Sequence, residues 1–334
     1  MKNYKVTIRP STSFITPLDS DTLFGSLCWL IRWNYSEEKL VDFLKSYEDK
    51  PQFLISSGVQ KDTIPFPITE GIARSKVRQL VEDAFVFVEP EKMNAVIRLI
   101  KKIKKEKYLP IDTFKKYVND FSLERIIKDI VAKNIDEIEE KYQDAFHQPK
   151  PFMTSKDRYH NMINRLSNSA TDGELFTRTE ITYHDDIDVY LRFPEEKLGF
   201  WKDNFNALSY EGFGSKKTTG KGQFDVLDFK EVKLPEADNP NHFMTLSSYI
   251  PESEIPEGNY KLKTKRGKVG SIYSKAKYSP WKKPLIFYDV GSTFKIDETD
   301  KDRSYGSLIS DIHHSLEDVV QYAYAFDLGV SLSE

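Results

Sequence analysis

The stretch Gly212-Phe213-Gly214-Ser215-Lys216-Lys217-Thr218-Thr219-Gly220-Lys221-Gly222 holds the most specific chemistry in the chain. Its four glycines allow backbone paths closed to other residues and leave amide groups unshielded. Lys216, Lys217 and Lys221 stand among them with two threonines. That set suits a phosphodiester backbone, held through amide donors and point charges. A nucleotide-binding P-loop is the rival reading and it fails on spacing. Gly214 and Gly220 enclose five residues instead of four, and Gly222 stands where Ser or Thr should follow the lysine. The loop also follows a helical pattern and precedes a strand, the reverse of P-loop order. The bland alternative is a mobile glycine turn with incidental lysines.

A second set includes Arg158, Tyr159, His160, Asn161, Asn164, Arg165, Asn168, Phe176 and Arg178, with little acidic content between them. Guanidinium groups grip phosphates, and aromatic or arginine faces stack on unpaired bases. An ordinary polar loop before a strand is the alternative. A third segment, residues 258–288, carries nine Lys or Arg and no Asp or Glu. Lys265 and Arg266 lie at its centre, and Tyr260, Tyr273, Tyr278 and Trp281 are interleaved with Lys275, Lys277 and their neighbours. In a chain of net charge −3, such segregation is the electrostatic footprint of a nucleic-acid surface. Lysines that protect strand edges from pairing would read the same way.

Catalytic and metal-binding sets are thin. Of six histidines, His147 and His242 stand in no recognisable set, and His313-His314 beside Asp311 share no helix face. His184-Asp185-Asp186 and Asp188 read as alternating along a strand, facing both ways. His160 beside Tyr159 is the candidate base for RNA cleavage, although a packing histidine is the commoner role. The one cysteine, Cys28, belongs to no zinc-spaced cluster. The residues therefore point to binding without a catalytic residue, metal or cofactor. A single thiol suits a reducing, cytoplasmic setting. Residues 1–10 lack the apolar run of a signal peptide, and no stretch approaches the length of a membrane span.

These residues need elements to position them. At 334 residues, 39 % hydrophobic and 13 % aromatic, the chain can build a sizeable core. Tyr4, Val6 and Ile8 alternate as a strand does. Leu18-Asp19-Ser20-Asp21 offers short side chains to cap a helix in which Leu23, Leu27 and Ile31 recur at helical spacing. Residues 90–146 read as helical, with Phe121, Leu123, Ile126, Ile127, Ile130 and Ile138 on one side. Lys101-Lys102-Ile103-Lys104-Lys105 and residues 136–140 read as solvated helix faces. Residues 175–193 read as extended. Pro194 fits the first position of a helix bearing Leu198, Trp201, Phe205 and Leu208. The glycine loop and a strand at 224–229 follow.

Without the helical insertion this order is β-α-β-β-α-β, that of a ferredoxin-like or RRM domain. The expected fold class is α+β. Residues 1–232 form a first ferredoxin-like domain with an insertion at about 90–148, and residues 233–334 form a degenerate second one. Strands are expected there at 243–249, 259–265 and 284–290. Phe85-Val86-Phe87-Val88 reads as either core or interface.

The ordered set of elements resembles the RAMP superfamily of CRISPR proteins, above all in a glycine-rich loop just before the last strand of the first domain. Asp21-Thr22-Leu23-Phe24-Gly25, Ile163-Asn164-Arg165, Gly173-Glu174-Leu175-Phe176, Gly291-Ser292-Thr293-Phe294 and Tyr322-Ala323-Tyr324-Ala325-Phe326 sharpen the likeness. They make it look closest to the Cas-five-like family that supplies the fourth-numbered subunit of type III-A Csm complexes. The resemblance implies a non-catalytic subunit that caps the complex and holds the repeat-derived 5′ handle of the guide (crRNA). It implies contact with the large polymerase-like subunit and the backbone RAMP subunit, with target RNA nearby. Carried over by position, Gly212, Gly214, Lys216, Lys217, Gly220 and Lys221 form the guide-binding loop. Arg158, Asn164 and Arg165 fall in a hairpin beside it, and Arg178, Lys265 and Arg266 are further RNA contacts. The competing reading is a RAMP-fold endoribonuclease that processes precursor crRNA, with His160 as base.

Overall fold

A computed structural model describes residues 1–48, 50–84, 90–130, 151–252, 256–270, 279–296 and 304–333. Ile138, His147, Tyr273, Lys275, Lys277, Tyr278 and the segments 85–88 and 136–140 lie outside the described residues. The chain opens with β1 (Lys2–Pro10), α1 (Ser20–Asn34), α2 (Glu37–Lys45), β2 (Leu54–Ile55), β3 (Val59–Gln60) and β4 (Thr63–Pro65). Next come α3 (Arg74–Ala84), α4 (Pro90–Ile103), β5 (Tyr108–Pro110), α5 (Ile111–Tyr117) and α6 (Leu123–Ile130). Then follow β6 (Met153–Asn164), β7 (Ser169–Tyr183), β8 (Ile187–Phe193), α7 (Leu198–Glu211) and β9 (Phe224–Glu231). The remainder is β10 (His242–Thr245), β11 (Gly258–Asn259), β12 (Leu262–Lys265), β13 (Leu285–Tyr288), β14 (Thr293–Lys295), β15 (Leu308–Ile309), β16 (Gln321–Tyr322) and β17 (Asp327–Val330).

The chain is α+β, mixing helices with antiparallel sheets. The first sheet has the order β2-β8-β1-β9, with β3 also on β8. Tyr4 pairs with Leu191, Val6 with Val189 and Ile8 with Ile187, so one apolar face forms in register. Helices α1 and α7 supply the matching stripe. Trp201 stacks on Phe53 at 3.7 Å between ring centres, and Phe24 stacks on Tyr322 at 4.5 Å. The C-terminal run Tyr322-Ala323-Tyr324-Ala325-Phe326 is buried throughout. Tyr322, Tyr324 and Phe326 share one core with the first sheet.

A second sheet has the order β11-β14-β10-β17, and β12–β13 and β15–β16 form separate two-stranded ribbons. Among the described residues, none after β9 begins is helical.

Several expectations change. The helical stretch begins earlier, at α3, and β5 interrupts it to pair with β4. Phe121, Leu123, Ile126, Ile127 and Ile130 are buried as their spacing demands, and Lys101, Lys102, Lys104 and Lys105 are exposed. Pro194 precedes a 3₁₀ turn (Glu195–Lys197), one position earlier than expected, and α7 starts at Leu198. At residues 158–168 the hairpin that the resemblance implies is present, and the polar-loop alternative falls. These residues belong to the long β6–β7 hairpin and its tip. His184, Asp185 and Asp186 sit in the β7–β8 turn, where both carboxylates already have partners, Asp185 accepting from the Gln60 side-chain amide. Arg9 and Lys61 hold Asp186, while the fully buried Asp188 receives bonds from Lys5, Thr7 and the Asp62 amide.

The largest change concerns the start of α1. Asp19 makes no side-chain cap. Its carboxylate instead accepts from Lys263 at 2.8 and 2.9 Å and pairs with Lys265 at 2.9 Å. Lys265 also holds Asp21, which accepts a 2.7 Å bond from Gln321. Ser20, fully buried, accepts from the Ser248 amide. Burial works against ionisation of Asp19, but Lys265 and Lys263 outweigh it and hold the carboxyl below its usual range.

A depressed folded pKa means that this contribution is complete above the unfolded carboxylate value of about 3.9 and fades as pH falls through the folded value. Asp19→Asn should therefore lower unfolding free energy at pH 7 by about 2–3 kcal/mol in urea. The loss relative to the unaltered chain should shrink when the titration is repeated near pH 3.

Candidate nucleic-acid interface

Residues 11–16, between β1 and α1, are the seat on which the candidate site is built. On one side they carry the glycine-rich loop. The Gly222 amide donates to the Ser13 carbonyl at 3.0 Å, Ser215 N–H to Thr16 Oγ1 at 3.1 Å, and Gln223 N–H to Thr12 Oγ1 at 3.0 Å. On the other side they carry the hairpin, because Phe14 and Ile181 exchange both backbone bonds, at 2.8 and 2.7 Å.

The loop is therefore a fixed structure, and the mobile-turn alternative falls. Gly212, Gly214, Gly220 and Gly222 all have positive φ, and so does Lys216 at 66°. Gly222 is the tightest, since an added Cβ would lie 2.0 Å from the Phe213 carbonyl oxygen. The expected amide cradle is largely spent on this folding. The amides of Gly212, Phe213, Ser215, Thr219, Gly220, Lys221 and Gly222 all bond within the protein. Any grip on an anion must come mainly from side chains. The loop follows α7 and precedes β9, as the rejection of the P-loop requires.

The hairpin pairs Arg158 with Arg178 and His160 with Phe176, side by side. This alignment turns a scatter of residues into one surface. Between hairpin and loop lies a groove of about 600 Å³, lined by Ile15, Arg158, Tyr159, His160, Asn161, Phe176, Arg178, Glu180, Lys216, Thr219 and Lys221. Four cationic side chains face it against one carboxylate. Glu180 binds Lys221 at 2.8 Å and lies 3.7 Å from Arg158. Lys221, with Ser13 and Arg158, holds this carboxyl below its usual range in spite of burial. Lys221 also donates to Ser13 Oγ at 2.7 Å, so it fastens the loop to its seat as well as facing the groove.

The His160 ring lies nearly parallel to Phe176, 5.5 Å away, and Arg178 sits 5.0 Å from the Phe176 ring centre. Lys216 is exposed beside them, while Lys217 turns toward Glu211 and the Trp33 ring.

The other sequence-named residues lie apart from this groove. Asn164 accepts from the Leu166 amide and shapes the hairpin tip, where Arg165 is exposed. Lys265 pairs with Asp19 and Asp21 and so ties the β12 ribbon to the start of α1. Arg266 and Lys268 flank the Trp281 ring at 5.3 and 4.2 Å on a separate surface. Four lysines of the basic segment have partners within the protein. Lys263 and Lys265 are paired with aspartates of α1, Lys282 with Gln321, and Lys283 with Asp311.

His313 is a packing residue. Its Nε2 bonds the Ser279 carbonyl, and its Nδ1 accepts from the Ser315 and Leu316 amides. Sequence reasoning missed the roles of Ser13, Thr16 and Glu180. For Ser13 and Thr16 the only signal was a run of short hydroxylated residues after β1, and Glu180 had none.

A family model described as the RAMP superfamily matches residues 8–225, which contain the whole groove. No curated protein matches the chain. Among solved structures, a chain of the Csm1–Csm4 cassette in complex with AMPPNP is similar, with a TM-score of 0.59 and 18 % identity over 100 % of both chains. The same cassette in complex with cA4 gives 0.60 and 17 %, over 99 % of each chain. A chain of the Csm3–Csm4 subcomplex of a type III-A CRISPR-Cas interference complex gives 0.58 and 16 %, covering 99 % of this chain and all of that one. At these identities the likeness is one of fold.

The loop geometry separates two glycines. Gly222→Ala meets backbone atoms and a positive φ together and should cost 3 kcal/mol or more, on the order of a strained backbone site plus a steric clash. Gly220→Ala, at a positive φ but in open space, should cost only about 1 kcal/mol. Equal losses in urea titrations would contradict this account of the loop.

Proposed function

The chain belongs to the RAMP superfamily, and from that premise we propose that it is a non-catalytic subunit of a type III-A CRISPR effector complex. It binds the 5′ repeat-derived handle of the crRNA and caps the backbone. It joins that backbone to the large polymerase-like subunit, with target RNA nearby, in the cytoplasm. The observation that carries this reading is the groove. Two segments more than 30 residues apart in sequence meet there, and together they present arginines, lysines and stacked rings around one open space.

Phosphates would be held by Lys216, Arg158 and Arg178, with Lys221 placed between phosphate and Glu180. Lys217 and Arg165 extend the basic track along the loop and hairpin tip. Gly212, Gly214 and Gly220 set the loop's path. The partners follow from a second support, since Csm4 is the component named in both kinds of similar complex. Csm1 and Csm3 are the components it is named with.

The fold suits this role when read as two ferredoxin-like halves. The order β2-β8-β1-β9, with α1 and α7 on one face, supports a first half over residues 1–232 carrying the helical insertion. The antiparallel sheet around β10 and β17 supports a degenerate second half over 233–334.

A second reading has one observation behind it, for Tyr159, His160 and Lys216 line one groove, as an RNA-cleaving set would. Against it, the His160 ring lies flat along Phe176 with Nε2 shielded from solvent, a poor position for exchanging protons.

The test is incubation of the purified chain with labelled guide RNA, following binding and cleavage together with and without divalent metal. Handle-dependent binding to intact RNA is the expected result, and cleavage within the repeat would replace this reading with the nuclease. Replacing Lys216, Lys217 and Lys221 together with alanine should weaken binding at least tenfold. It should also reduce the slope of log K against log salt by about 1 to 2, given about 0.7 per phosphate contact on single strands.

A further inference from the structure

Residues 98–107 carry six cations, Arg98, Lys101, Lys102, Lys104, Lys105 and Lys107, against one acid, Glu106. They cover the end of α4 and the turn that joins it to β5. Leu99, Ile100 and Ile103 are buried between them, so one apolar stripe anchors the helix and all six cations stand exposed. Elsewhere the fold pairs many of its lysines, Lys5 with Asp62 and Asp188, Lys263 with Asp19, and Lys283 with Asp311. Among the described residues, Lys101, Lys104, Lys105 and Lys107 have no such partner. A helix C-terminus favours cations, but that need is met in the last turn, where Lys101 and Lys102 stand. Lys104, Lys105 and Lys107 lie beyond it. Like charges three and four positions apart, as Lys101 is from Lys104 and Lys105, repel and work against the helix. The fold gains little from this cluster, and an external anion accounts for it better.

Its position says which anion. Lys107 is followed by Tyr108, whose ring meets Phe152 edge-on at 5.1 Å. Phe152 directly precedes β6, at the foot of the hairpin, and the exposed Lys156 lies between it and Arg158 of the groove. At about 3.3 Å per residue, Phe152 and Arg158 stand roughly 20 Å apart along the strand. Charge screening sets in within about 8 Å at physiological salt, so these lysines need phosphates of their own and do not serve those in the groove. Residues 98–107 include no aromatic side chain, so the surface offers bases nothing to stack on.

We infer that the end of α4 is a second RNA-binding surface, which takes the phosphodiester backbone of the same RNA several nucleotides outside the groove and without regard to sequence. This rests on the RNA-binding reading above and gives a function to the helical insertion. A strand leaving the groove along the hairpin passes Lys156 and reaches Lys107, Lys105, Lys104 and Lys101 in turn. Each lysine acts as a point charge on one phosphate, which adds affinity and salt dependence but no base preference.

The experiment uses the full chain and a short single-stranded RNA carrying the repeat-derived 5′ segment, lengthened stepwise with uridines at its 5′ end in one series and its 3′ end in another. Binding is measured at several salt concentrations. For the unaltered chain, lengthening at one end should raise affinity at least tenfold and steepen the slope of log K against log salt by about 2, as three added phosphate contacts would. The variant with Lys101, Lys104, Lys105 and Lys107 all replaced by glutamine should bind the short strand as the unaltered chain does and gain nothing from lengthening. Replacing the same four by arginine should preserve the gain. Urea titration checks that each variant folds.

A glutamine variant that gains as much as the unaltered chain, or a gain at neither end of the RNA, overturns the second surface and leaves the groove standing. So does a glutamine variant that binds the short strand more weakly, because the lysines would then belong to the groove itself. Failure of the unaltered chain to bind any RNA of either series overturns both readings.

Discussion

The architecture turns on the burial of Asp19-Ser20-Asp21 at the first turn of α1. Three polar residues out of water must be satisfied from within, and the partners come from far along the chain. Lys263 and Lys265 reach in from the β12 ribbon, Gln321 from β16, the Ser248 amide from beyond β10, and Ser57 Oγ from before β3. Removing any one side leaves charge or a donor stranded, so the C-terminal half and α1 are obliged to stay together. The stacked pair Phe24 and Tyr322 fixes the same junction by apolar contact. Leu18, just before this cluster, gives its carbonyl to the Gly58 amide and its amide to the Tyr183 hydroxyl. The segment at residues 11–18 is thus held at one end by β1 and at the other by the aspartates. It becomes a rigid seat. The glycine loop and the β6–β7 hairpin are both mounted on it, and the groove is the space left between them.

Electrostatics follows from that arrangement more than from composition. A net charge of −3 gives no general attraction for an anion. Within the long basic segment, four lysines meet acids or amides elsewhere in the fold: Lys263 and Lys265 at the start of α1, Lys282 at Gln321, Lys283 at Asp311. A charge run in sequence is evidence about a surface only when its partners are also known. The groove differs in having a single carboxylate, Glu180, for four cations, and that carboxylate is itself held by Lys221. Local excess, set by which residues fail to find partners, is what remains to meet a phosphate.

Much of this was legible from residue types. The alternation of Tyr4, Val6 and Ile8, the spacing of Trp201, Phe205 and Leu208, and the buried stripe from Phe121 to Ile130 all act through period and apolarity, which sequence displays directly. The glycine loop was legible because positive φ demands unusual residues. The rest depended on pairing. Whether Asp19 caps a helix or accepts two lysines is decided by residues about 245 positions away, and nothing near Asp19 records it. The register that sets His160 beside Phe176 is likewise a property of two strands together. Interleaved polar and aromatic residues along β6, exposed on both faces, carry no alternation of the kind that marks a strand against a core. For that reason a polar loop stayed open as an alternative to the hairpin.

Rigidity links the fold to the chemistry. The loop places four glycines and Lys216 at positive φ, and its amides bond within the loop, to α7 and to Ser13 and Thr16, so its shape exists before any ligand arrives. The cost of that unusual backbone is met by folding and not by binding. A preformed groove loses less side-chain and loop freedom on association, which leaves more of each contact visible as affinity. The amides consumed in holding the shape are lost as anion donors, and the lysine and arginine side chains take over that task.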